Sequence, residues 1–472
     1  MGRKLLIAIA VMSFAFIGYS YAGVESIKVS GDITAQALTR DLTLGLTDAT
    51  NADDENYLIS QVRLRFDADL TEDVSAVIML LNERLWGDTD WPVVGTDNDD
   101  EIRLEEAYVE LKEMLYQPLT VRVGRQPLRY GNALIIGDPD TNQGDTLTWG
   151  QGPWTPSGDL SMHKSFDLIR AVLDYSPYTV DLLYGRLDEN ATTEADDVTI
   201  FGAYGTYEWS SYNGISEGYF IGIENSPGYN LMSGGATPAE NQSEIFVLGG
   251  RIQFDPNDNL TIGLETAMQF GDVLVDMNGD GALTDQNRGG VDEYQHLNAS
   301  AYQLISEYRF LNDYNGRINL SYTYLSGDDD VSDSDNHEAW APMGEDQTPA
   351  EIMNILGANT NAHFIRLEGS YMPREDITLG LIYAKAVLAQ SYGANANTNA
   401  YSPPIGPAAG YTYVVDRDET GFGDEINAYV VYDYTEDVQM KLLGAWFIPG
   451  DFFDEANDSV AYSIRGALAL NF

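Results

Sequence analysis

From residue 25 onwards the chain repeats one pattern, stretches of about ten residues in which apolar and polar side chains alternate. A period of two belongs to a strand with two unlike faces. The pattern is clearest at 459–472. There Tyr462, Ile464, Gly466, Leu468, Leu470 and Phe472 share one face, and Ser463, Arg465, Ala467, Ala469 and Asn471 the other. Residues 317–326 repeat it, with Ile318, Leu320, Tyr322 and Tyr324 set against Arg317, Asn319, Ser321 and Thr323. Eighteen strands are expected: 25–40, 57–70, 74–86, 101–112, 119–126, 166–175, 178–187, 198–209, 216–225, 243–255, 260–271, 296–310, 317–326, 363–372, 377–388, 424–434, 438–448 and 459–472.

The connections alternate too. Every second one is tight, as at Thr71-Glu72-Asp73, Ser176-Pro177 and Thr435-Glu436-Asp437, and those between are long and rich in Gly, Asp and Asn. Short turns at one end and long loops at the other are the mark of a barrel in an outer membrane. A sheet in lipid has to close, because an open edge would leave backbone groups unpaired in hydrocarbon. The expected fold is therefore all-β, a transmembrane antiparallel up-and-down β-barrel of about 18 strands. Trp86, Tyr175, Tyr207, Trp209, Tyr371, Tyr434 and Trp446 sit towards strand ends, where aromatic girdles meet the two interfaces. A soluble all-β protein is the competing architecture. The terminal Phe and the absence of a short repeat argue against it.

The first residues set the compartment. Arg3 and Lys4 precede an apolar run, Leu5 to Ile17, and Ser20-Tyr21-Ala22 reads as a cleavage site. Residues 1–22 are expected to be a secretory signal peptide and 23–472 one outer-membrane barrel of a Gram-negative cell, in contact with the lipid bilayer and lipopolysaccharide. The 472 residues hold 25 Lys and Arg against 74 Asp and Glu, a net charge of −49, with no Cys. Phosphate backbones would be repelled, so nucleic acid is excluded as a partner. Disulfides, thiolate metal sites and thiol catalysis are excluded as well.

The acids concentrate in the long connections, notably 87–101 and 327–362, neither of which contains Lys or Arg. Both are expected to be solvated external loops. Many bases lie within strands instead. Arg63 and Arg65 share a face opposite Leu64 and Phe66, and Arg122, Arg170, Arg366 and Arg465 also occupy polar phases. A charge facing lipid at mid-membrane costs roughly 2–4 kcal/mol, so these arginines should face a wet lumen. Each has two readings, a solute contact or an ion pair that holds the wall. The connection 127–165 carries Arg129 beside an apolar run, Ala133-Leu134-Ile135-Ile136, which argues for an inward fold that narrows the passage. Asp276-Met277-Asn278-Gly279-Asp280-Gly281 reads as half of a Ca²⁺ loop in an external connection, with Asp276, Asn278, Asp280 and Asp285 as ligands and an ordinary Asn/Gly turn as the alternative. No other cofactor is expected. Only His163, His296, His337 and His363 are available for hydrolysis, and none forms a nucleophile motif. An outer-membrane enzyme or a plugged structural or adhesive barrel stands as the alternative to a passive channel for hydrophilic solutes.

Gly124-Arg125-Gln126 with Tyr130-Gly131 and Ile136-Gly137-Asp138, Ser165-Phe166-Asp167 leading into Arg170, and Tyr324-Leu325-Ser326-Gly327-Asp328 together resemble the alginate export family of outer-membrane proteins. The resemblance implies an 18-stranded barrel, a narrow charged lumen, sugar acids or an exopolysaccharide as solute, and periplasmic export partners. It also implies an Arg-rich constriction that favours anions, for which Arg122, Arg125, Arg129 and Arg170, with Asp167, are the matching positions. Replacing Arg125 and Arg129 with Ala is then expected to enlarge conductance and lower anion preference.

Overall fold

The computed structural model describes residues 24–45, 55–87, 102–139, 158–188, 198–225, 229–230, 235–236, 243–276, 292–328, 335–357, 359–392, 400–401 and 413–472. Among these, eighteen strands form the wall: β1 (Ser26–Asp41), β2 (Glu55–Thr71), β3 (Val74–Leu85), β4 (Arg103–Leu111), β5 (Leu119–Pro127), β6 (Ser165–Asp174), β7 (Tyr178–Asp188), β8 (Val198–Trp209), β9 (Gly214–Asn225), β10 (Glu244–Asn257), β11 (Leu260–Asp276), β12 (Asp292–Arg309), β13 (Arg317–Leu325), β14 (Ala362–Arg374), β15 (Ile377–Leu388), β16 (Gly421–Asp433), β17 (Val438–Pro449) and β18 (Ala461–Asn471). Each wall strand pairs antiparallel with the next. β1 also pairs with β18, from Asp32 opposite Asn471 to Asp41 opposite Tyr462, which closes the cylinder. At the seam Gly31 and Phe472 exchange two main-chain hydrogen bonds of 2.9 and 3.0 Å. A side chain at Gly31 would collide with the Arg63 carbonyl and the Phe472 ring, so glycine is what lets the terminal residue seat there.

The expected alternation is present in the wall. On β11, Leu264 and Met268 point outward and are about half exposed, while Glu265 and Gln269 point inward and are buried. The connections at the end where β1 begins and β18 ends are short, residues 72–73, 175–177, 258–259 and 375–376 among them. β11 and β12 run 17 and 18 residues, well past the 260–271 and 296–310 expected from the pattern. A tilted crossing needs about 9–11 residues. Beyond the apolar band neither face has to be apolar, so the alternation fades while the hairpin continues.

Register fixes where that band ends. Val123, Ile169, Tyr184, Phe201, Gly222, Phe246 and Phe270 are successive cross-strand partners on the outer face of β5 to β11. One step further from the short turns the outward row is Arg125, Asp167, Arg186, Thr199, Glu224, Glu244 and Asp272, continuing to His296 on β12. An aromatic row followed by a charged row is the boundary between hydrocarbon and headgroups.

The barrel is not empty at its loop end. Leu128, Leu134 and Ile136 from the β5–β6 connection, and Trp340, Ile352 and Leu356 from the β13–β14 connection, are almost wholly buried. The inward fold expected for the first connection is seen. The second corrects the expectation of a solvated acidic loop for 327–362. Residues 336–337 pair in parallel with β12 at His296 and Leu297, and from Trp340 the segment enters the barrel, including a short helix at Met353–Leu356. Trp340, Met343, Ile352, Met353, Ile355 and Leu356 would otherwise be left in water, and their burial outweighs the preference of the flanking acids for solvent.

Candidate functional site: the lumen and its inward segments

Arg63, Arg65, Arg122, Arg170, Arg366 and Arg465 occupy lumen-facing positions of β2, β5, β6, β14 and β18. Each is held by a carboxylate on the wall or on an inward segment. Arg63 Nε donates to Asp32 at 2.7 Å, Arg65 to Asp67 and Glu106 at 2.9 and 2.8 Å, Arg366 to Glu368 at 2.7 Å and Arg465 to Glu351 at 2.9 Å. Arg122 pairs with Glu110 and Arg170 with Asp181. Arg122 and Arg170 stand directly opposite each other in the β5–β6 register, so these form a continuous run of acid, base, base, acid across four strands. Like charges placed opposite each other destabilise a sheet, and the flanking carboxylates offset that repulsion. Tyr108 lies under the Arg122 guanidinium at 5.6 Å, and Tyr130 under that of Arg170 at 5.8 Å.

Two of the expected constriction residues are placed elsewhere. Arg125 and Asp167 share the outward parity of Val123 and Ile169, and bond to each other in two contacts, one of 3.1 Å and one of 2.6 Å. They belong to the charged row at the headgroup boundary. The pattern at 124–126 misleads because it lies at the upper limit of the apolar band, where an outward charge costs little. Arg125→Ala is therefore expected to leave single-channel conductance and ion selectivity close to those of the native barrel. A shift in either, measured in planar bilayers, would return Arg125 to the passage.

Arg129 does lie inside. With Arg366 it lines a cavity of about 240 Å³ between the two inward segments and the β12–β14 wall. It pairs with Asp346 of the second segment. The segments are joined through the main chain as well. Gly137 N and Asp138 N donate to Gly344 O at 2.7 and 3.0 Å, and Asp346 N donates to Ala133 O at 3.0 Å. A side chain at Gly137 would meet Ala133 Cβ at 2.5 Å and Asp346 Cβ at 2.9 Å, so only glycine permits this approach. The first segment is pinned to the wall by Tyr130, whose ring stacks on Tyr204 at 4.1 Å, and Tyr204 in turn on Tyr219 at 5.6 Å. The second segment is fixed by wall side chains that sequence reasoning missed. Glu425 accepts from Ile352 N and Met353 N, the latter at 2.7 Å, and Gln269 makes two hydrogen bonds to the main chain of Ala341. The sequence does mark Glu425, as an acid at a lumen position in the middle of the alternating run of β16.

Two charged groups on the segments feel their burial. The Lys164 ammonium, paired with Asp138, is pushed down to about 8, and the Glu345 carboxyl is pushed up to about 7, both chiefly by loss of hydration. Each histidine has a partner. His163 meets Glu105, His296 meets Asp272, His337 meets Asp328 and His363 meets the Tyr322 hydroxyl. Of the expected Ca²⁺ ligands, Asn278, Asp280 and Asp285 lie outside the described residues, and Asp276 closes β11. Among the described residues no three acids or histidines converge on a metal position.

The sequence pattern of the family described as Alginate export matches residues 40–466. The chain belongs to that family. No curated protein sequence matches it. Its fold is shared with solved outer-membrane barrels. OccK8 (OprE) of Pseudomonas aeruginosa is similar at 11% identity with a TM-score of 0.55, over 95% of this chain and 98% of that one. OccK2 (OpdF) of the same organism, solved in complex with glucuronate, is similar at 11% identity and a TM-score of 0.54, over 95% and 98%. A BenF-like porin from Pseudomonas fluorescens is similar at 10% identity and 0.55, over 95% and 99%. Family and fold together make this chain an outer-membrane channel protein.

Proposed function

We propose that the barrel is a passive, non-catalytic channel for small hydrophilic solutes of about monosaccharide size, and that a continuous polysaccharide is excluded while the inward segments stay joined. The main-chain hydrogen bonds between 133–138 and 344–346 carry this reading, because they bridge the passage with apolar, tightly packed chain. The glucuronate in the OccK2 structure supports a solute of that size. The paired arginines argue against a strongly electropositive lumen. With a net charge of −49, much of it in the long connections, small cations are favoured at the mouth. The same acidic loops would reach lipopolysaccharide through divalent ions.

Reconstituted protein is expected to open stepwise in planar bilayers, with a reversal potential in a KCl gradient on the cation side. Liposome swelling should be rapid with monosaccharides and slow with trisaccharides. Equal swelling rates for both would refute the size limit. A second reading, a plugged structural barrel, is favoured by the packing of Phe422, Phe447, Phe452 and Phe453 at the loop end. Electrical silence would establish it.

A further inference from the structure

Building on the channel reading, we propose that the cavity between the inward segments and the β12–β14 wall is a binding site for a neutral polyhydroxylated solute, a sugar without an acid group. Its polar lining is chiefly amide and hydroxyl. Asn132, Gln303, Thr323 and Gln347 fix one another: Asn132 donates to Gln303 at 2.7 Å, and Gln303 donates to Thr323 and Gln347 at 2.9 and 2.7 Å. Asn319 and Ser321 line the same cavity from β13 and, among the described residues, are left out of that network. The indole of Trp340 and the ring of Phe364 supply apolar faces, which suit the C–H faces of a pyranose.

The charged groups there select against a carboxylate. Arg129 is neutralised by Asp346 and Arg366 by Glu368, so a sugar carboxylate finds no uncommitted cation and meets Glu345. Three buried polar atoms of the lining residues still lack partners. Glu345 Oε1, on a residue only 2% exposed, needs a donor, and Asn359 Nδ2 and Arg366 Nε need acceptors. A hydroxyl both donates and accepts, so a polyol meets both kinds of need where a carboxylate group can only accept and leaves Glu345 Oε1 without a donor.

Isothermal titration of the intact, detergent-solubilised protein with D-glucose and D-glucuronate tests this. Glucose should bind saturably and at least about ten-fold more tightly than glucuronate, in line with sites built to hydrogen-bond a hydroxyl. Ser321→Leu, which fills the cavity from the wall, should abolish glucose binding, whereas Ser321→Thr should retain it. Thermal unfolding of both variants in detergent establishes that the barrel is intact. Equal or tighter binding of glucuronate, no saturable heat with glucose, or undiminished glucose binding in folded Ser321→Leu would each overturn the assignment. Stepwise conductance without glucose binding would sink this inference alone. Glucose binding without conductance would sink the channel reading alone.

Discussion

Glu425→Ala is expected to raise single-channel conductance several-fold and to make the open level noisy. Glu425 is fully buried on β16 and holds the first turn of the short helix through Ile352 N and Met353 N. Hydrogen bonds to a charged acceptor contribute roughly 1.5–3 kcal/mol each. Their loss strands two buried N–H groups and frees the second inward segment to move into the passage and out again. Glu425→Gln keeps a carbonyl acceptor but loses the charge, so an intermediate conductance is expected. Because β16 is held by full ladders to β15 and β17, the wall itself should persist. A native conductance in Glu425→Ala would mean that the segment is fixed by Gln269 and Arg465 without it, or that it does not limit flow.

The second large effect is expected at Asp181. Asp181 balances Arg170 and also accepts from the Tyr130 hydroxyl at 2.8 Å. Asp181→Asn leaves Arg170 uncompensated, directly opposite Arg122 in the register. Breaking one side of a buried ion pair costs roughly 3–5 kcal/mol, and partial hydration in the lumen places this case at the low end. The charge balance at that level changes by one, so the reversal potential in a KCl gradient should move several-fold towards anions. Arg170→Met with Asp181→Leu removes the pair together and should restore the native selectivity. Unchanged selectivity in Asp181→Asn would show that ions pass elsewhere in the cross-section.

Strand count, closure and the lumen position of Arg63, Arg122 and Arg465 were legible because a bilayer enforces the alternation of faces. The inward fold of 128–136 was legible for a related reason, since exposed Leu134, Ile135 and Ile136 would be costly. The second inward segment was hidden. Its acids, Glu338, Glu345, Asp346 and Glu351, read as a solvated loop, and Arg129 and Arg465, the partners of Asp346 and Glu351, lie more than a hundred residues away. The outward placement of Arg125 was hidden too, because period two assigns a face only once the height of the apolar band is known. The cavity between the segments follows from register and tertiary contact, which a linear pattern does not carry.

The seam between Gly31 and Phe472 has a consequence for biogenesis. The first strand finds its second neighbour only when the final one has emerged, so the cylinder cannot shut during secretion. Until then both margins of the sheet offer unpaired strands to any other chain. Loss of the last few residues would leave the whole molecule in that open, sticky condition, even though none of the solute-facing side chains had changed.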